Sequence, residues 1–184
     1  MQFETPRLLL REFKATDWKD VHEYAVDPEV VKYMEWGPNT SDETIAFVDE
    51  ALEKQRHKPR LCFDLAVIVK EESKLIGACG LRIMPSDEEQ ADIGYCYNRN
   101  YWHKGFATEA CRAIVDHGFL ELKLHRIRAT CDAENLGSAR VLKNSSMRQE
   151  ALFKEDKKIK GRWRDTLLFA ILKEEWHGAR QESQ

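Results

Sequence analysis

The sequence lacks the features that define several large protein classes. Its longest uninterrupted apolar run, residues 167–172, is far shorter than the roughly 20 residues that a membrane-spanning helix needs. Positive charge is not in excess, because 29 Lys and Arg residues face 32 Asp and Glu residues and leave a net charge of −3. That balance gives no general attraction to nucleic acid or to an anionic membrane. The first residues do not show the pattern of a secretory signal, so we expect a cytoplasmic protein.

Cysteine and histidine are present but are not spaced as metal ligands. The five cysteines include no CxxC pair and the six histidines no HxxxH pair, so the sequence predicts no metal site. Each cysteine lies in an apolar segment, which is typical of a small buried side chain. The 184 residues contain no repeats or linkers and suit one domain over 1–176, followed by a polar tail over 177–184.

The periodicity of apolar residues predicts an α+β fold in the order βααβββαβαββ. Strands are predicted near 7–13, 62–69, 75–84, 91–97, 125–131, 149–154 and 166–173. Helices are predicted to begin near 17, 41, 107 and 135. The expected sheet is mixed, mostly antiparallel and six- to seven-stranded, with about four helices flanking it. The unit from 91 to 131 is a strand–helix–strand crossover and indicates one parallel pair.

Residues 95–108, YCYNRNYWHKGFAT, join the end of a strand to the start of a helix. The free N–H groups in the first turn of that helix, with the positive end of its dipole, form a ready site for an anion. Gly105 lets the backbone approach a ligand closely, and the small Ala107 keeps the helix near the sheet. A glycine in an ordinary strand-to-helix turn gives the same spacing, so the pattern alone leaves both interpretations open.

Four segments of the chain stand out together. They are Thr5-x-Arg7-Leu8-x-Leu10-Arg11, Ala91-Asp92-Ile93-Gly94-Tyr95, the run from Tyr101 to Ala110, and Asn135-x-x-Ser138-x-x-Val141-Leu142. In this order and at these spacings they resemble the GCN5-related N-acetyltransferases (GNAT), within them the RimJ/RimL-like branch that acetylates ribosomal-protein N-termini. The resemblance implies the GNAT fold, acetyl-CoA as cosubstrate without a metal, direct transfer in a ternary complex, and a homodimer, because relatives often dimerise.

The resemblance also implies an acetyl-CoA site. Pyrophosphate contacts are expected from Lys104, Gly105, Phe106, Ala107 and Thr108, and pantetheine contacts from the backbone of Tyr95, Cys96 and Tyr97 and from Asn135. A main-chain N–H on that strand would polarise the thioester carbonyl, an effect of about 3–4 kcal/mol in comparable sites. Trp102 stands where the family's loop has Gln or Arg, so no polar role is expected for that side chain.

Asp92 and Ser138 are the catalytic candidates that the resemblance suggests. Asp92 stands where many relatives carry Glu, and its shorter side chain favours action through a water; a solvated or ion-paired carboxylate is the alternative. Ser138 stands where other branches use Tyr as the acid for the leaving thiolate, and packing near the helix cap is its alternative. Asn135 fits a helix cap as well as a pantetheine contact. An acyl-cysteine route through Cys96 needs a paired histidine, and the sequence fixes none.

The sequence gives the fewest signals for the site that binds the acetyl acceptor. Tyr33, Glu35 and Trp36 lie in an irregular stretch that resembles the variable acceptor-side loop, where Glu35 is suited to hold a cationic amine. The charged segment 155–164 is expected to be a loop, either solvated or facing an anionic partner. We expect an N-acetyltransferase that acts on a primary amine, such as a protein N-terminal amine. A polyamine or aminoglycoside acceptor and a non-catalytic acyl-CoA-binding module are the alternatives.

Overall fold

The computed structural model describes residues 1–84 and 87–181. Within them the chain forms the strands β1 (Gln2–Glu4), β2 (Leu8–Glu12), β3 (Cys62–Val69), β4 (Lys74–Met84), β5 (Asp87–Tyr97), β6 (Arg126–Asp132), β7 (Arg148–Ile159) and β8 (Arg162–Leu172). The α-helices are α1 (Trp18–Ala25), α2 (Ser41–Lys54), α3 (Phe106–Leu120), α4 (Leu136–Asn144) and α5 (Lys173–Gln181). Short 3-10 turns precede α1, at Ala15–Asp17, and follow β5, at Arg99–Tyr101.

The strands form one mixed sheet in the order β1-β2-β3-β4-β5-β6-β8-β7. β5 and β6 pair in parallel because the helix α3 carries the chain back to the same end of the sheet. β3, β4 and β5 form the predicted antiparallel meander. The α+β architecture is therefore confirmed, with eight strands where six or seven were predicted. The additional strand, β1, has three residues, too few to show a periodicity.

Different helices cover the two faces of the sheet. Alternation along each strand sends successive side chains to opposite faces. One face packs against α3, α4 and α5 around side chains such as Leu65, Ile114 and Phe169. The opposite face packs against α1 and α2 around Tyr24 and Val48. The apolar cores stand on the two sides of the sheet, and the strand ends between them carry the polar side chains described below.

The C-terminal third differs from its prediction in two places. Segment 155–164 is not a loop but the end of a long β7–β8 hairpin, closed by Lys160 and Gly161 at φ of 48° and 83°, as a two-residue type I′ turn requires. Most of β7 is exposed, so its sequence shows no apolar alternation. Residues 177–181, predicted as part of a polar tail, belong to α5, which the buried Trp176 anchors. The rest of that predicted tail lies outside the described residues.

Trp176→Ala is expected to destabilise the protein by about 3 kcal/mol, because it deletes a buried side chain. The indole is 6% exposed, packs 5.3 Å from the Phe119 ring and donates its Nε1–H to Asp116 at 2.6 Å. The matched control Trp163→Ala removes the same atoms from a side chain that is 59% exposed, and should cost less than about 0.5 kcal/mol. Chemical unfolding followed by circular dichroism measures both. Equal losses would show that α5 does not depend on this contact.

Candidate active site

β5 and β6 separate toward their C-terminal ends. Their parallel pairing stops at Asp92 and Arg128. Beyond that pair, β5 continues to Tyr97 along β4, while β6 continues along β8. The backbone edge of residues 93–97 on the β6 side therefore has no sheet partner within the described strands. Such an edge offers N–H and C=O groups to another extended chain.

A cavity of about 420 Å³ opens at this separation, between the end of β5, the start of α3 and α4. Among its lining residues are Tyr95, Cys96, Tyr97, Gly105, Phe106, Ala107, Thr108 and Asn135, which the sequence predicts for acetyl-CoA. Lys104, predicted with them, is not part of this lining; its Nζ lies 4.9 Å from the centre of the Tyr101 ring. The fold thus brings three separate segments of the predicted donor site to one cavity. We call this cavity the donor groove.

The start of α3 has the geometry of an anion site. Gly105 precedes the helix at a φ of +81°, a left-handed conformation that strains any residue with a side chain. Its carbonyl oxygen accepts the N–H of Glu109 at 3.0 Å, which closes the first helical turn. The N–H groups of residues 106–108 precede that bond and have no acceptor within the helix. With the helix dipole, they suit a phosphate group.

The N-terminal segment holds this helix start in place. Arg7 donates from Nη1 to the main-chain oxygen of Lys104 at 2.9 Å and from Nε to Glu109 at 2.7 Å. Its guanidinium also lies 4.5 Å from the centre of the Phe106 ring. Burial opposes the charged form of Glu109, but hydrogen bonds from Thr5 and Arg7 outweigh that effect and lower its pKa. This contact was not predicted from the sequence, because it joins residues 102 positions apart.

A second cavity, of about 970 Å³, lies on the α1 and α2 side of the sheet. Tyr33, Glu35 and Trp36, predicted for the acceptor side, line it together with Asp92. It meets the donor groove at the shared residues Met34, Tyr95, Cys96, Asn135 and Ser138. Two ligands, one in each cavity, would therefore touch at the end of β5. We call the second cavity the acceptor cleft.

The β7–β8 hairpin braces the loop between α1 and α2. The Nζ atom of Lys157 lies 2.7 Å from a carboxylate oxygen of Glu35, and Lys160 donates to a main-chain oxygen of the same loop at 2.6 Å. The Arg164 guanidinium lies 5.4 Å from the centre of the Tyr33 ring. These basic residues therefore hold a wall of the acceptor cleft, a role that the sequence did not reveal.

Both side chains predicted to be catalytic have partners in the structure. Asp92 accepts a hydrogen bond from the Arg128 Nε at 2.5 Å, which is the ion-paired alternative for this residue. The Ser138 hydroxyl lies 2.9 Å from the Tyr95 hydroxyl, whose pKa is raised by burial. Asn135 caps α4, because its side-chain oxygen accepts the N–H of Ser138 at 3.0 Å. The catalytic roles of Asp92 and Ser138 stay predictions.

Cys96 lies where the two cavities meet but has no activated thiol. Burial raises the pKa of the thiol to about 12, against a weaker opposing hydrogen bond to the main chain of Tyr97. The hydrogen bonds that histidine rings make in the described residues join His22 to Thr44 and Ser41, not to a cysteine. An acyl-cysteine route would need a thiolate and a paired base. The environment of Cys96 favours neither.

The described residues contain no helix that is long and apolar enough to cross a membrane. They also contain no group of three or more His, Cys, Asp or Glu side chains arranged to hold a metal ion. The cysteines are free, and Cys79, Cys111 and Cys131 are buried as predicted. Cys62 and Cys96 are half-buried.

Comparison with known proteins identifies the family. The family model for the acetyltransferase (GNAT) domain matches residues 7–148. The uncharacterized N-acetyltransferase YnaD of Bacillus subtilis (strain 168) is 40% identical over 177 residues, which cover 96% of this chain and 100% of that protein. The crystal structure of a GNAT-family acetyltransferase from Bacillus anthracis has a TM-score of 0.85 and 37% identity, and covers 95% of this chain and 99% of that one.

A more distant structure is that of the ribosomal-protein-S5-alanine acetyltransferase from Vibrio fischeri, with a TM-score of 0.78, 26% identity and coverage of 96% and 98%. Together these matches show that the chain belongs to the GNAT family of acetyltransferases. The GNAT fold and the class of N-acetyltransferase predicted from the sequence are confirmed. Enzymes of this family use acetyl-CoA as the acetyl donor.

Alkylation tests the state of the Cys96 thiol. Because its pKa is about 12, its thiolate fraction at pH 8 is small, and reaction with iodoacetamide should be roughly a thousandfold slower than for an ordinary exposed cysteine. Peptide mapping after brief treatment, native and in denaturant, measures this. We expect modification of Cys96 in denaturant alone. Rapid modification of the native protein would contradict the assignment and reopen the acyl-cysteine route.

Proposed function

We propose that this protein transfers the acetyl group of acetyl-CoA directly to a primary amine in a ternary complex, with acetyl-CoA in the donor groove and the amine in the acceptor cleft. The observation that supports this most is the meeting of the two cavities at the separated end of β5. Direct transfer needs both reactants in contact, and holding them together supplies much of the rate enhancement. A cysteine intermediate is not needed in this arrangement.

Main-chain groups would bind acetyl-CoA in the donor groove. The N–H groups at the start of α3 suit the pyrophosphate, and the main chain of residues 95–97, where the Tyr97 carbonyl accepts the Trp102 Nε1–H at 2.9 Å, suits the amide-containing pantetheine arm. An N–H from that edge, placed at the thioester oxygen, would stabilise the developing oxyanion. The hydroxyl pair of Ser138 and Tyr95 lies at the junction and offers a proton path to the departing sulfur. Asp92 remains the predicted participant in the proton path on the acceptor side.

The acceptor is an amine that arrives as a cation. Six carboxylates line the acceptor cleft, with Arg82 as the one cation among its described lining residues, and four of the six pair with Lys or Arg side chains outside the lining. The remaining excess of negative charge favours a ligand of the opposite sign. Both a protein N-terminal amine and a small polyamine fit this charge. The 26% identity to a ribosomal-protein-S5-alanine acetyltransferase favours the protein N-terminal amine, and with it the RimJ/RimL-like branch.

Thiol release from acetyl-CoA tests the activity and the acceptor together. The acceptors should include peptides with Ala or Ser at the N-terminus, spermidine, an aminoglycoside and free amino acids, with an amine-free reaction as the blank. Turnover of peptides without turnover of small amines is the expected result. Turnover of spermidine alone would move the assignment to a polyamine. Background release with every amine, combined with binding of acetyl-CoA, would show a non-catalytic acyl-CoA-binding module.

Gly105→Glu is expected to abolish most of the rise in melting temperature that acetyl-CoA causes, because it places a carboxylate at the pyrophosphate. Gly105→Ala is the matched control. Both variants carry the strain of a side chain at a φ of +81°, about 1–2 kcal/mol, but alanine adds no charge. Thermal unfolding with and without acetyl-CoA separates the two effects. If Gly105→Glu keeps the wild-type shift, the pyrophosphate lies elsewhere.

A further inference from the structure

The carboxylates that line the acceptor cleft differ in whether they have partners. Five of them are bound: Glu35 to Lys157, Glu43 to Thr40, Glu50 to Lys54, Asp92 to Arg128 and Asp132 to Arg164. Asp64 is the sixth. It forms no hydrogen bond or ion pair with any other residue in the described parts of the chain. A half-buried carboxylate without a partner in a substrate-sized cleft is costly for the fold, which points to a ligand.

The position of Asp64 depends on two glycines. Asp64 on β3 is paired with Gly80 on β4, which is paired with Gly94 on β5. A Cβ atom at Gly80 would stand 2.8 Å from Oδ1 of Asp64, so the carboxylate occupies space that a side chain at position 80 would fill. A Cβ atom at Gly94 would meet no atom within 4 Å, so the space beyond it is open. This row therefore places no side chain between Asp64 and the strand where the two cavities meet.

The surroundings of Asp64 suit a base. Burial raises the pKa of Asp64, although the cations of Lys54 on α2, Arg82 on β4 and Arg60 before β3 oppose that effect. Glu50 on α2 adds to the rise. A carboxylate whose pKa is shifted toward neutrality is a better general base at physiological pH than an ordinary one. Unlike Asp92, it accepts no hydrogen bond from any residue that the structure describes.

We propose that Asp64 is the catalytic residue that accepts a proton from the ammonium group of the acceptor, directly or through one water. This inference rests on the proposed function. The neutral amine then attacks the thioester carbonyl, a C–N bond forms and the C–S bond breaks. The second proton of the nitrogen passes to the leaving sulfur, which departs as the thiol. The proton held by Asp64 returns to the solvent, so the reaction releases one proton for each ammonium acetylated.

The test compares Asp64→Asn with Asp92→Asn, using the amine that the wild-type enzyme turns over best. The pH dependence of kcat/KM for that amine is the readout. The wild-type enzyme uses the ammonium form, so kcat/KM should be level between the pKa of Asp64 and that of the amine. Asp64→Asn cannot deprotonate the ammonium group and reacts only with the fraction of the amine that is already neutral. Its kcat/KM should therefore rise tenfold per pH unit up to the pKa of the amine. At pH 7 we expect a loss of about 10²–10⁴-fold.

Three controls separate this role from a structural one. The wild-type rise in melting temperature with acetyl-CoA should persist in Asp64→Asn, because Asp64 does not line the donor groove. Burial raises the pKa of Asp64, so the wild-type protein loses stability as the pH rises through that pKa; the neutral variant should melt at least as high at pH 8. Asp92→Asn is expected to lower turnover with little change in the affinity for acetyl-CoA, and to keep the level region of the profile.

Two results would overturn the inference while leaving the proposed function intact. One is a level profile at the wild-type rate in Asp64→Asn. The other is a steadily climbing profile in Asp92→Asn, which would make Asp92 the base. If the wild-type enzyme releases no thiol with any amine, the proposed function and the inference both fail.

Discussion

The parting of β5 from β6 after Asp92 and Arg128 is the constraint on which the rest of the site depends. Continued pairing would use the N–H and C=O groups of residues 93–97, and the donor groove would close. β4 holds β5 extended as far as Tyr97, so the free edge stays straight without a second sheet neighbour. The crossover through α3 makes the pair parallel and brings the N-terminus of that helix to the opening. One topological feature thus supplies both the free strand edge and the anion site.

Long-range polar contacts set the shape of both cavities. On the donor side, Arg7 joins Glu109 to the main chain at Lys104 and so fixes the turn before α3. On the acceptor side, the β7–β8 hairpin reaches the loop between α1 and α2 through Lys157 and Glu35. Both contacts are partly exposed, so each adds little to the free energy of unfolding. These contacts matter because they fix the positions of the cavity walls, and a site for two ligands requires its walls at fixed distances.

The charges of the acceptor cleft divide into paired and unpaired groups. Pairing with Arg128 holds the carboxylate of Asp92 in place and occupies one of its oxygens. Asp64 lies two strands away with the opposite properties, since Gly80 leaves room for its carboxylate and no described residue binds it. A cationic amine in this cleft would be attracted to this unpaired charge. Recognition of the acceptor and removal of its proton would then be parts of one arrangement.

The sequence by itself determined the features that depend on neighbours along the chain. The strand β5, the start of α3 and the turn at Gly105 were predicted, and the Asn135 cap was one of its two predicted roles, because each follows from local spacing or backbone sterics. The tertiary structure alone decided which distant residues meet: Arg7 with Glu109, the basic hairpin with the acceptor-side loop, Asp92 with Arg128, and Asp64 with Gly80. Strand order and register create these contacts, and neither leaves a periodic signal in one sequence. The class of enzyme and three residues on the acceptor side could therefore be predicted from local motifs, whereas the pairing of the cleft's charges and its unpaired carboxylate could not.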